Sequence, residues 1–268
     1  MTHVFRPLMI TISLLTGSLG AAYAQTPVAG QVLCHGDSLT WGANASSGLG
    51  VPGTLMEQSP GPPAGTGIAL ATTYPAVLAR TLGPVWHVRS VGTGGWNFDP
   101  LTGEAPSKID PLFDPRLALN VLIIFGGTND LGGAHRSAAT AFGKLTNYCR
   151  ARKRAHPWRI LVVTPPVAAY PGVYPADFDA QMVKYDALIR RDWRSFADGI
   201  VDVQADPRLG APGAEHNPAY FSATDFTHLT DLGYAIVGHD AAAAVRRLSA
   251  HSQHPAHLSA KAIKTHGT

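Results

Sequence analysis

Three residues in this chain are of the types that make a serine hydroxyl reactive: Ser38 in Gly36-Asp37-Ser38-Leu39, and Asp225 and His228 in Asp225-Phe226-Thr227-His228. A serine hydroxyl is a poor nucleophile at neutral pH, so it needs a base to take its proton and donors to hold the oxyanion that its attack creates. Asp225 and His228 lie three apart in a loop, which lets the carboxylate fix the imidazole tautomer while the other ring nitrogen faces Ser38. Two further motifs offer donors, Gly92-Thr93-Gly94-Gly95 and Gly126-Gly127-Thr128-Asn129-Asp130. Together these residues could attack a carbonyl carbon and stabilise the resulting anion.

Such residues must be carried to one place by the elements around them. The first three motifs each follow an apolar run that reads as a strand, at 31–35, 86–91 and 121–125, and two more strands are predicted at 160–164 and 200–203. Segments of helical period lie between them. Tyr74, Val77, Leu78 and Leu82 share a face over 73–82; Ala138, Phe142, Leu145 and Cys149 share another; Phe178, Met182, Tyr185, Ile189, Trp193 and Phe196 a third. A last helix over 231–248 is expected to bury Leu232, Ile236, Ala241, Val245 and Leu248, with Arg246 and Arg247 near its negative dipole end. Strand alternating with helix predicts a parallel sheet covered on both faces, a three-layer α/β/α sandwich formed by residues 25–250 as one domain. Long Gly/Pro-rich connections at 42–72, 96–117, 165–175 and 205–224 follow the carboxyl ends of strands, where open α/β sheets bind ligands.

With these four motifs in this order, the chain resembles the SGNH hydrolases, also called GDSL esterases and lipases. Gly36-Asp37-Ser38-Leu39 matches the family's first block, the turn ending at Gly95 the second, Gly126 to Asp130 the third and Asp225 to His228 the last. The resemblance implies a flavodoxin-like fold with a central parallel sheet of about five strands in the order 2-1-3-4-5, and no metal or organic cofactor. It implies Ser38 as nucleophile, His228 as base, Asp225 as the group orienting His228, and the Gly95 N–H and Asn129 amide as oxyanion donors. The second block departs from the pattern: Ser90 and Gly94 stand where asparagine and serine are frequent. Gly95 is chosen from its spacing to Gly92, with Gly94 as the alternative. The competing serine-hydrolase signature, Gly-x-Ser-x-Gly, is absent from the sequence.

The function expected is an exported serine esterase that cleaves carboxylic esters or thioesters. The same acyl-enzyme could pass its acyl group to a glycan hydroxyl, making an exported O-acyltransferase. A carbohydrate-binding module on this fold would lack part of the triad, whereas every position is filled here. Small esters, lipids or acylated glycans are the expected partners. Nucleic acid is not, because 21 Lys and Arg against 18 Asp and Glu is too even a balance.

Residues 1–24 read as a secretory signal, with Arg6, an apolar stretch over 8–19, and Ala22-Tyr23-Ala24 as a small-x-small cleavage site. The stretch is shorter than a membrane span, so no stable membrane insertion is expected, and the mature protein is predicted to be periplasmic or secreted. The polar, histidine-bearing segment 251–268 is expected to be a disordered tail. Cys34 and Cys149 read as small buried residues, although export would permit a bridge between them. Asp37 and Asp130 read as carboxylates that lock their own turns, and His35 as a polar residue at a strand end. Trp41, Trp96, Phe98, Tyr170, Tyr174, Tyr220 and Phe221 lie on the long connections and are expected around the mouth of the site.

Overall fold

A computed structural model of the protein describes residues 30–47, 50–58 and 71–253; the segment read as a secretory signal, part of the first long connection and most of the segment expected to be a tail lie outside these residues. The elements follow in the order β1 (Gly30–Gly36), α1 (Ser38–Trp41), β2 (Met56–Gln58), α2 (Tyr74–Leu82), β3 (Trp86–Gly92), α3 (Phe98–Lys108), β4 (Asn120–Phe125), α4 (Thr128–Leu131), α5 (Ala138–Ala155), β5 (Arg159–Val163), α6 (Phe178–Asp192), β6 (Gly199–Val201), α7 (Pro207–Gly210) and α8 (Asp231–Gln253). The sheet has the order β2-β3-β1-β4-β5-β6, and all its pairings are parallel except that of β2 with β3. Without β2, this is the order expected from the resemblance.

The antiparallel edge strand β2 adds to the five parallel strands placed in the sequence. Met56-Glu57-Gln58 has no apolar alternation. It pairs through the backbone and polar contacts: Gln58 Nε2 donates to Ser90 Oγ at 3.0 Å, and Glu57 lies 3.5 Å from Arg89. A hydrophobic period cannot detect such an edge strand.

Successive residues of a strand point to opposite faces, and β4 shows it directly. Val121, Ile123 and Phe125 join the core beneath α2 and α8, while Leu122 and Ile124 join the core beneath α3, α5 and α6. Cys34 belongs to the first core and Cys149 to the second, so the sheet lies between them and both are free. Burial pushes the Cys34 thiol up to about 12 and raises Cys149 as well.

α2 and α8 approach closely because Gly238 has no side chain: a Cβ there would sit 2.6 Å from Val77 Cβ. The predicted face of α8 is right for Ile236, Ala241, Val245 and Leu248 but not for Leu232, which is 60% exposed. Asp231 accepts from Ser46 N at 2.8 Å and Tyr234 Oη donates to Ala43 O at 2.7 Å, and these ties turn Leu232 outward. The helix also runs to Gln253, into the expected tail, and Arg246 bonds Thr81 O in α2.

The connection over 96–117 contains a helix that the sequence reading missed. α3 includes Pro100, Gly103 and Pro106, which depress helix propensity, but Pro100 stands in the first turn, where its missing N–H has no partner to lose. Asn97 caps it by accepting from Asp99 N at 3.0 Å. Phe98, Leu101 and Ala105, spaced by three and four, are buried on one face, so packing overrides local preference.

Candidate active site

β1 ends in Gly36, and the chain turns at once into α1. Asp37 caps that short helix, its Oδ1 accepting from Leu39 N at 2.9 Å. The turn is possible because two glycines make room: a Cβ on Gly36 would lie 2.2 Å from Phe125 O, and one on Gly92 would lie 2.2 Å from Trp41 N. Ser38 is thereby held at the carboxyl edge of the sheet, only 9% exposed.

The loop before α8 reaches the same edge. Ser222 N donates to His228 O at 2.7 Å and a bridge joins Phe221 to Leu229, closing the loop at its base. Phe226 has φ 52°, a left-handed conformation uncommon for a bulky residue, and its carbonyl accepts from Ala169 N at 3.0 Å. Thr227 Oγ1 donates to Ala169 O at 2.9 Å, so the loop is tied to the connection after β5 from both sides.

These supports bring together three of the sequence-predicted residues. Asp225 Oδ2 lies 2.8 Å from His228 Nδ1, and His228 Nε2 lies 2.9 Å from Ser38 Oγ. The carboxylate can only accept, so its partner is Nδ1–H, which leaves Nε2 to accept from the serine hydroxyl. Asp225 Oδ1 also accepts from the backbone N–H groups of Thr227 and His228, each at 2.9 Å. Burial alone would raise the Asp225 carboxyl, but the bonds from the His228 ring and the two backbone N–H groups hold it below the ordinary carboxylate range.

The glycine-rich turn after β3 faces Ser38. Trp96 N donates to Thr93 O at 3.4 Å, with Gly94 and Gly95 between them and Gly95 at φ 75°. Gly94 and Gly95 both line the pocket; a Cβ on Gly94 would stand 3.9 Å from Ser38 Cβ, whereas one on Gly95 would meet nothing within 4 Å. Asn129 comes from α4, after Gly127 at φ 117°, where a Cβ would sit 2.5 Å from the Tyr185 ring. The Asn129 amide donates to Trp96 O at 3.0 Å and lies 3.4 Å from Asp37 Oδ2.

Asp37 and Asp130 sit in separate roles, as turn-locking carboxylates. Asp130 accepts from Phe98 N at 3.0 Å and from Arg136 at 2.5 Å, fastening the α4 turn to α3. Burial pushes the Asp37 carboxyl up to about 7 and also raises Asp130. His35 does stand at the end of β1, one residue before Gly36. It is fully buried, with Nδ1 2.5 Å from Tyr148 Oη and Nε2 2.9 Å from Glu104, and these contacts tie β1 to α5 and α3; burial lowers its pKa.

A pocket of about 270 Å³ opens over Ser38 and His228, with Trp41, Tyr170, Val173, Tyr174, Gly94, Gly95 and Asn129 among its walls. Of the aromatic residues expected at its mouth, Trp41, Tyr170 and Tyr174 line it, while Phe98 and Phe221 are core residues at 0% and 1% exposure. Trp96 contributes its carbonyl to Asn129, and Tyr220 packs near Arg208. Sequence reasoning missed Val173, which lies in no motif, and gave no role to Thr227, although it stands inside Asp225-Phe226-Thr227-His228. It also missed Ala169, whose part is played by its backbone. Among the described residues no three His, Cys, Asp or Glu side chains gather into a metal-binding group, and no helix is long and apolar enough to cross a membrane.

Residues 34–236 match the family model described as GDSL-like Lipase/Acylhydrolase family. No curated protein matches the sequence. Among solved structures, the chain is similar to a carbohydrate acetylesterase family member from Sinorhizobium meliloti, with 22% identity, a TM-score of 0.55, and coverage of 82% of this chain and 98% of the other. The aryl esterase of M. smegmatis aligns with 22% identity and a TM-score of 0.54, covering 82% of this chain and 100% of that one. A member of the lipolytic protein G-D-S-L family from Veillonella parvula aligns at 12% identity with a TM-score of 0.54, over 82% and 100% of the two chains. At these identities the likeness is one of fold.

Proposed function

Since the chain belongs to the GDSL-like lipase/acylhydrolase family and is accordingly a carboxylic ester hydrolase, we propose that it works through an acyl-enzyme on Ser38, with His228 as base and Asp225 as the orienter of His228. The observation that carries this reading is the unbroken line from Asp225 Oδ2 through the His228 ring to Ser38 Oγ, with separations of 2.8 and 2.9 Å, beside a pocket that admits a small ester.

His228 Nε2 takes the hydroxyl proton as Ser38 Oγ bonds to the ester carbonyl carbon. The carbonyl oxygen becomes an oxyanion, held by the Ser38 N–H, the Gly95 N–H and the Asn129 amide. Collapse re-forms the carbonyl and breaks the bond to the alcohol oxygen, which receives the proton from His228. Water then gives a proton to the same imidazole and attacks the acyl-enzyme, and the acid departs as Ser38 recovers its proton. Thioesters react by the same steps with sulfur leaving. Arg6, the apolar 8–19 stretch and Ala22-Tyr23-Ala24 support export of the mature chain from residue 25.

The test is a fluorophosphonate probe and p-nitrophenyl esters from acetyl to palmitoyl, applied to residues 25–268 and to Ser38→Ala. Labelling at Ser38 with ester turnover, both lost in the variant, is the expected result. A Ser38→Ala protein that kept full esterase activity would overturn the assignment. Product analysis with an added glycan acceptor separates hydrolysis from transfer, and free acid as the main product is expected.

A further inference from the structure

The pocket over Ser38 is bounded on one side by Tyr170 and Tyr174, and both residues also line a second hollow of about 200 Å³, bounded in addition by Ala168, Pro171 and Phe178. The two hollows share this aromatic wall.

Tyr174 is fixed in that wall from several directions. Its ring stacks on Phe178 with centroids 4.2 Å apart and meets Tyr170 edge-on at 5.8 Å. It also lies against Gly132, where a Cβ would come within 2.3 to 2.9 Å of ring carbons; the bare backbone at 132 is what gives the ring its place. Val173 N and Tyr174 N both donate to Tyr170 O, at 2.9 and 3.0 Å, and close the turn that presents the ring. The Tyr174 hydroxyl stands 3.5 Å from Thr227 Oγ1, next in sequence to His228. A side chain packed on three sides does not swing away cheaply, because its rotamer is set by close-packed neighbours.

We propose that Tyr174 determines substrate specificity: its ring limits the length of the ester substituent that can lie in the pocket, and shortening it joins the two hollows into one longer channel. The inference rests on the ester-hydrolase reading of Ser38 and adds to it a residue that decides which esters fit. A pocket of about 270 Å³ lies just below the usual range for sites that hold drug-sized ligands, so its fixed wall limits substrates to short substituents.

The test compares wild type with Tyr174→Ala, Tyr174→Leu and Tyr174→Phe on two series: p-nitrophenyl esters with acyl chains from acetyl to decanoyl, and acetate esters of alcohols from ethanol to decanol. Fluorophosphonate labelling of Ser38 reports whether each variant has a folded, reactive site. Wild type is expected to favour short members. The Ala and Leu variants are expected to raise the kcat/KM ratio of long to short substrates about tenfold or more in one of the series, and Phe, which preserves the ring, to restore the short preference. Leu keeps an apolar contact with Phe178 and serves where Ala does not fold. Variants that label normally but keep ratios within about twofold of wild type in both series overturn the proposal. A wild-type protein that neither labels nor turns over any ester is a different failure, and removes the reading of Ser38 along with it.

Discussion

The Asn129 amide nitrogen donates to Trp96 O across 3.0 Å, so the turn carrying Gly94 and Gly95 and the turn carrying Asn129 are fixed to one another. One amide hydrogen is committed to this bond, and the other points to Asp37 Oδ2 at 3.4 Å, on the wall of the pocket that Ser38 also lines. An oxyanion forming in the pocket takes the second hydrogen from the long contact with Asp37, while the bond to Trp96 keeps the carboxamide in place. Asn129→Ala is expected to lower kcat by about 10²- to 10³-fold with little change in KM, measured by steady-state hydrolysis of a short p-nitrophenyl ester.

The Asp225–His228–Ser38 line predicts unequal losses. Ser38→Ala and His228→Ala are each expected to cut kcat by several powers of ten, and the double variant by no more than the worse single one, because the pair acts as a unit. Asp225→Asn is expected to cost less than either, since the residue orients the ring and bonds no substrate atom. Equal additive losses in the double-variant cycle would show that the two side chains act separately.

Asp37 gives stability a pH dependence of known sign. Its ordinary value is 3.8, and burial pushes it up to about 7 in the fold. Well below 3.8 it is protonated in both the folded and the unfolded chain; between about pH 4 and 7 the unfolded chain gives up the proton that the folded protein keeps, so stability falls as pH rises and levels off above 7, where both are ionised. Asp37→Asn keeps an oxygen for Leu39 N and cannot ionise. Urea denaturation between pH 4 and 8 is expected to show a shallower decline in the variant, with a difference on the order of a few kcal/mol developing across that window.

Asp186 in α6 is fully buried, neither carboxylate oxygen has a hydrogen-bond partner among the described residues, and burial pushes it up to about 8. An unpaired buried polar group costs about 1–3 kcal/mol, and a same-sized apolar replacement removes that cost. Asp186→Leu is expected to raise Tm, and by more at pH 9 than at pH 6, because only the acid ionises as pH rises. Thermal melts at the two pH values check both statements.

Much of the fold could be read in the sequence because β4 and its neighbours are continuous apolar runs and the main helices keep an apolar period. β2 and α3 escaped for opposite reasons. β2 has no period because it pairs through polar groups at an edge, and α3 carries Pro100, Gly103 and Pro106, which argue against the helix that Phe98, Leu101 and Ala105 stabilise by packing. At the site, Ser38, Asn129, Asp225 and His228 stand in motifs with recognisable order. Tyr174 stands in none, and the role of Thr227 cannot be read from its place in the last motif, since what the two do depends on Gly132 and Ala169, and no local spacing reports a contact made across the fold.

Ser38 and His228 meet across a sequence separation of 190 residues, and the loop that holds His228 closes only when Leu229 bridges to Phe221 and Asp231 reaches Ser46. A growing chain therefore carries its hydroxyl from the start without anything to activate it. Sheet strands can pair as they emerge, yet a polypeptide that ends before residue 228 has no imidazole to deprotonate Ser38, however well the rest is folded. The catalytic line is therefore one that a growing chain can complete only after residue 228 has been made.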